Sequence, residues 1–333
     1  MSTSSAPARG YNRSETSRGS SGSQTVHEYL LSQILYGLGD WIYSLAIVIL
    51  AYRLSEGLTA AAAVLLFQAS GRLAGVPIAS SLSSSDRGRQ RRLAVGAGIL
   101  RATLIGTLLL VTSESHLWLA MIVAAAIGVL GPAEENSRRA LAPHGMRPRR
   151  SGSLRSRFVC RWDQLAMVAG SVTGGLLIML WSEHAALVVA ASMSVAAVAL
   201  LSRLPNPSKS PSPGAIAVEQ SARPAAPRRL GTLQLLMLAL AGGAALGIAI
   251  RILLVEVVIG DHGSSELVYA LFVALAGAGA FAGPISVPRL LGKLPSEIAI
   301  AGITGALTIA LIATHVADRL PLVVPIVIGC GIL

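Results

Sequence analysis

Residues 29–52 read YLLSQILYGLGDWIYSLAIVILAY, one unbroken apolar run whose single charge, Asp40, falls near its middle. As a helix this run would extend about 36 Å, enough to cross a hydrocarbon core of ~30 Å. It is too long for the apolar core of a signal peptide, and the residues before it contain no such core and no small-residue cleavage site. It reads as a membrane-spanning helix.

The rest of the chain repeats the pattern. Further apolar runs occupy Leu58–Leu82, Leu93–Thr112, Leu117–Leu141, Phe158–Trp181, Ala185–Leu204, Leu230–Ile259, Leu267–Val287, Ile298–Val316 and Leu320–Leu333. Over the 333 residues, 53% are hydrophobic and only 13% charged, with mean hydropathy +0.65. A soluble domain carries about 25% charged residues, so this chain lacks the surface for water. Aromatics at 4% argue against a transmembrane β-barrel with its aromatic girdles. The expected fold is therefore all-α, a polytopic membrane helical bundle.

The charges orient it. The net charge of +11 would suit nucleic acid, but the arginines sit in short segments between apolar runs rather than on one basic face. With a cytoplasmic amino terminus, 22 Lys and Arg fall on the inner side and two, Arg53 and Arg319, on the outer side. That asymmetry is the positive-inside pattern, so the expected location is a cell membrane (inner or plasma), multi-pass, with the amino terminus inside. Nucleic acid is not expected as a partner.

Composition also divides the chain. Residues 1–28 are mostly Ser, Gly, Thr and Arg and read as a disordered cytoplasmic tail. Residues 29–204 hold six runs, an amino-terminal half. Residues 205–229, PNPSKSPSPGAIAVEQSARPAAPRR, carry six prolines and read as a cytoplasmic linker. Residues 230–333 hold runs seven to ten, the last only 14 residues long and short of a span. Six helices, a linker and a second set suggest the duplicated architecture of a transporter.

The segment after the second run reads Ser84-Ser85-Asp86-Arg87-Gly88-Arg89-Gln90-Arg91-Arg92. A carboxylate followed by clustered arginines can clamp helix ends together on the cytoplasmic face. Here the sequence resembles the major facilitator superfamily, whose loop between helices two and three carries an Asp-Arg-x-x-Arg-Arg type of motif. Asp86, Arg87, Arg91 and Arg92 fall on it, although Leu82 stands where the family usually has glycine. The resemblance implies a cytoplasmic gating motif and a two-half fold of twelve helices, of which about ten are present. The chain would then be truncated at its carboxyl end. Arg289 and Lys293, after the eighth run, form a faded copy of the motif.

Asp40 follows Gly39 in the first run, and this Gly-Asp resembles the one in an efflux branch of the superfamily that includes macrolide and siderophore exporters. A charge at mid-depth costs several kcal/mol unless it faces a cavity or a partner. Asp40 is thus a candidate proton-coupling site or the structural partner of a cation in a neighbouring helix. The cations deep enough to reach it are Arg72 and Arg101, and both are expected to face the bundle interior. In the fifth run, Gly170, Gly174 and Gly175 resemble the glycine-rich motif of drug/proton antiporters, without its usual proline. Their spacing also suits plain close packing of helices. After the fourth run, Gly131–Pro143 resembles a Pro-Ala-containing segment of efflux members and reads as a polar, mixed-charge helix end.

Other chemistries find no support. There is no glycine-rich loop ending in Lys-Ser/Thr to hold ATP. Two cysteines, Cys160 and Cys330, make no disulfide framework, and the six histidines show no metal-ligand spacing. Neither an enzyme nor a cofactor is expected. The resemblance implies proton-coupled efflux of a small amphipathic molecule (a drug, siderophore or secondary metabolite), with protons and the lipid bilayer as its other partners. The alternative is a truncated, non-transporting membrane protein, a pseudo-transporter or an assembly partner.

Overall fold

In a bilayer every backbone N–H and C=O must be satisfied within the chain, so an apolar run of spanning length becomes a helix. The structure, a computed structural model, describes the backbone of residues 16–55, 57–82, 86–143, 154–204 and 266–291, with single positions at 252, 255 and 258. Side chains are described within those ranges except at 16–24, 154–164 and 279–291. The expected linker, most of run seven and all of runs nine and ten lie outside the described residues.

Seven α-helices are assigned among the described residues: α1 (Thr16–Ser55), α2 (Leu58–Leu82), α3 (Arg87–Thr107), α4 (Leu117–Ala140), α5 (Leu154–Leu180), α6 (Glu183–Arg203) and α7 (Glu266–Leu291). The last of these is the eighth apolar run. Five helices, α1 to α4 and α6, are long and apolar enough to cross a membrane.

Two boundaries differ from the sequence reading. Residues 16–28, expected in a disordered tail, are helical and continue into α1. Apolar patterning marks where a helix meets lipid, not where it starts. Propagation from an existing helix needs no new nucleus, so polar residues can extend it. Likewise Asp86–Arg92 is not a loop: Asp86 caps α3, and Arg87 to Arg92 form its first turns.

Helix α1 is the hub. Ile42, Tyr43, Ala46, Ile47, Ile49 and Leu50 are buried on all sides of it, as expected of a helix apolar all round. It packs on α2, α5 and α6, and α7 lies on α5. Helices α2 and α4 approach most closely, through glycine. A Cβ on Gly71, Gly75 or Gly128 would fall 2.1, 2.3 or 2.2 Å from the carbonyl oxygens of Ala125, Val129 and Gln68. Without a hydrophobic drive between helices in lipid, such small-residue contacts let backbones touch and dispersion hold them. This pairing fixes which residue of α2 meets which residue of α4.

Candidate functional site: a charged cavity among α1 to α4

One face of α1 carries Tyr29, Gln33, Tyr36 and Asp40, spaced three or four apart as neighbours on a helix surface are. With Gln68 and Arg72 of α2, Arg101 of α3 and Gly131, Glu135 and Arg139 of α4, that face lines a cavity of about 240 Å3. The cavity runs from the end where α1 starts and α4 finishes to the level of Asp40 and Trp41.

Arg101 is the centre of a buried ionic cluster. Its guanidinium pairs with Asp40, donates from Nη1 to the Tyr36 hydroxyl at 2.8 Å, and lies 4.8 Å from the Tyr36 ring centroid. It is also 3.8 Å from Glu134. Glu134 lies 3.6 Å from Arg138, one turn further along α4. Arg138 donates from Nη2 to the Ser32 carbonyl at 2.7 Å and stacks 4.0 Å from the Tyr36 centroid. The side chains of Arg101, Glu134 and Arg138 are 3%, 1% and 2% exposed, whereas Asp40 is 32% exposed and faces the cavity. Two arginines and two carboxylates make this set neutral. Glu134 thus sits between two cations, beside Tyr36. Burying a carboxylate this deeply is costly unless it is so paired.

Closer to the opening is a second, wetter set. Arg72 donates to Glu135 Oε2 at 3.3 Å, and Arg139 pairs with Oε1 of the same carboxylate. Of the two arginines expected as partners of Asp40, Arg101 therefore takes that role and Arg72 does not. The reason is the glycine-mediated contact: α2 is pressed on α4, so Arg72 meets Glu135.

At the start of α3, Asp86 accepts a hydrogen bond from the Gly88 amide at 2.9 Å as the N-cap. Arg91 donates to the Ser202 carbonyl at the end of α6, so the motif ties two helix ends on one face. Arg92 is exposed and Arg87 half-buried. On α5, a Cβ on Gly170 would lie 2.8 Å from Trp41 Cβ, one on Gly174 3.2 Å from Leu45, and one on Gly175 2.3 Å from Ala270. Two of these glycines seat α5 on α1 and the third seats it on α7.

Glu134 and Arg138 are site residues that the sequence reading missed. Both lie within Gly131–Pro143, which the sequence reading took as a polar, mixed-charge helix end. The signal was present as two overlapping i, i+4 pairs, Glu134/Arg138 and Glu135/Arg139. At the opposite end of the bundle, Arg53 pairs with Glu183 at 2.9 Å and with Glu266, joining the ends of α1, α6 and α7. Among the described residues, no three His, Cys, Asp or Glu side chains gather as for a metal ion.

The family model described as Major Facilitator Superfamily matches residues 29–333. Among solved structures, the crystal structure of a bacterial homologue of iron transporter ferroportin in inward-facing state superposes with a TM-score of 0.63 at 15% identity. The match covers 93% of this chain and 80% of that one. No curated protein matches significantly.

Proposed function

The chain belongs to the Major Facilitator Superfamily, and from that premise we propose that it is a secondary transporter exporting a small amphipathic molecule in exchange for protons. Membership makes it a membrane transporter and not an enzyme; efflux and proton coupling are the further step. The cargo in the neighbour's title does not transfer at 15% identity, which carries the fold alone.

The observation that carries the reading is Asp40. It is the one carboxylate of the buried set that also faces the cavity, and it is held by a buried cation. Protonation of Asp40 would release Arg101 from its pair. Arg101 lies 3.8 Å from Glu134, a second carboxylate it could then approach. A proton arriving from the cavity would thereby shift the contact between α1 and α3 towards one between α3 and α4. Intramembrane acids facing a cavity commonly serve such relays. The proposed arrangement has the amino terminus and the cavity mouth on the cytoplasmic side, a linker at 205–229 and a second half after it. Asp86, Arg87, Arg91 and Arg92 would then form the cytoplasmic gate.

The test uses reconstituted vesicles with a trapped pH dye and two permanently charged probes, naphthalene-2-sulfonate and trimethyl(naphthylmethyl)ammonium. Neither crosses lipid by gaining or losing a proton. An inward gradient of one of them should make the lumen alkaline as protons leave in exchange. A lumen pH indifferent to both probes while the protein moves either one would contradict proton coupling.

A further inference from the structure

Resting on the transporter reading, we infer that the cavity selects organic anions, with Arg72 and Arg139 as the cradle for the anionic head and Glu135 as its built-in competitor. The charges of the cavity separate into two sets. Asp40, Arg101, Glu134 and Arg138 are mutually neutral, and three of the four are almost fully buried. Arg72, Arg139 and Glu135 are the water-facing set, and among the described residues their sum is one positive charge. The two arginine side chains are 61% and 65% exposed and both line the cavity. With Arg72, Arg101, Arg138 and Arg139 against Asp40 and Glu135, the described lining is net positive, and such a lining favours small anions over cations.

The geometry fits a bridging anion. Each Glu135 oxygen binds a different guanidinium, which sets the two cations a carboxylate's width apart. A sulfonate, carboxylate or phosphate can span the same gap. The Arg72 contact of 3.3 Å is long for a charge-assisted bond, whose usual range is about 2.7–2.9 Å, so Glu135 holds Arg72 loosely. Arg72 is not an orienting charge either. It lies ten residues before the end of α2 at Leu82, about 15 Å along the helix. A cation at that depth is costly unless it faces water or a ligand.

The apolar body of such a ligand has a place as well. Trp41, Ile127 and Leu30 line the same space, and Gly131 leaves its α4 wall bare. A Cβ there would meet nothing within 4 Å.

Equilibrium dialysis of the purified full chain in neutral detergent tests the inference without a pH gradient. Naphthalene-2-sulfonate should bind, and its cationic isostere should bind at least about tenfold more weakly. The double variant R72Q/R139Q should weaken sulfonate binding about tenfold or more, whereas R72K/R139K, which keeps both charges, should retain most of it. E135Q should tighten binding by removing the competitor. G131L, which fills the apolar side, should weaken it with no change of charge. Sulfonate binding unaltered by R72Q/R139Q, or preference for the cation, overturns the inference. So does displacement by phosphatidylglycerol at concentrations below those of the sulfonate itself, which would make the cradle a lipid-headgroup site. A chain that binds the sulfonate but pumps nothing refutes the transport reading and leaves this one standing. A chain that pumps the cationic probe alone refutes only this one.

Discussion

The middle and the last turn of α1 solve the same electrostatic problem in opposite ways. Midway along its apolar run, Asp40 enters a cluster with Arg101, Glu134 and Arg138 in which three side chains are all but shut off from water. At its last turn, Arg53 is 44% exposed and spans to Glu183 and Glu266 across the ends of α6 and α7. Exposed pairs are screened and each contributes little. A buried cluster pays desolvation for every member and leaves an uncompensated charge when one is removed. The number of ion pairs therefore says nothing about what their loss costs; burial decides it. A cluster this expensive midway, and a cheap strut at the last turn, fits a molecule whose cavity end carries chemistry while its far end fastens helices.

The sharpest way to break the comparison is to ask whether the two ends lie on opposite sides of the membrane. After Cys160 and Cys330 are replaced by serine, S115C, in the connection between α3 and α4, should react with an impermeant maleimide in intact cells. R89C, on the cavity-end face of α3, should react only after the cells are opened. The reverse pattern would invert the orientation derived from the charge asymmetry.

Next in size is the buried cluster itself. E134A leaves Arg101 and Arg138 facing each other without their shared carboxylate, and should cost about 3–5 kcal/mol of stability. Thermal unfolding in detergent would show this as a large fall in Tm, and E134A/R138M, which removes the pair together, should recover much of it. A Tm for E134A equal to that of the parent would mean that Glu134 does not neutralise the buried arginines.

The smallest effect belongs to the strut. R53Q should lower stability by about 1 kcal/mol or less, and the loss should shrink further in high salt because the pair is exposed. A loss as large as that of E134A, or one indifferent to salt, would erase the distinction between the two ends.

Much of this was legible in the chain. The depth of Asp40 and Arg101 within their apolar runs marked both as residues in need of partners, and they pair with each other. The bounds of α2 coincide with its apolar run because lipid contact and helix share the same residues there. Three features were not legible, each for a physical reason. The start of α1 was hidden because polar residues can prolong a helix as readily as end it. Which of Arg72 and Arg101 partners Asp40 was left open, because the neighbour of Arg72 is set by how closely Gly71, Gly75 and Gly128 let two backbones approach, a pairing between helices that no single run displays. Glu134 and Glu135 are adjacent in sequence, each with an arginine four residues on. A step of one residue turns a helix by about 100°, which sends one pair into the core and the other to the cavity. Only the packing of α4 decides which.

The central claim is that Asp40, paired with Arg101 at the cavity wall, carries the coupling proton. The most direct measurement compares parental and Asp40→Asn protein in vesicles, using whichever permanently charged naphthalene probe the parent moves. Uphill accumulation driven by a pH gradient and probe-for-probe exchange without a gradient are followed side by side. The account predicts that Asp40→Asn abolishes the uphill movement and keeps the exchange, because the cavity still binds cargo but no longer trades it for a proton. Uphill movement at the parental rate in Asp40→Asn would contradict it, leaving Asp40 a structural partner of Arg101.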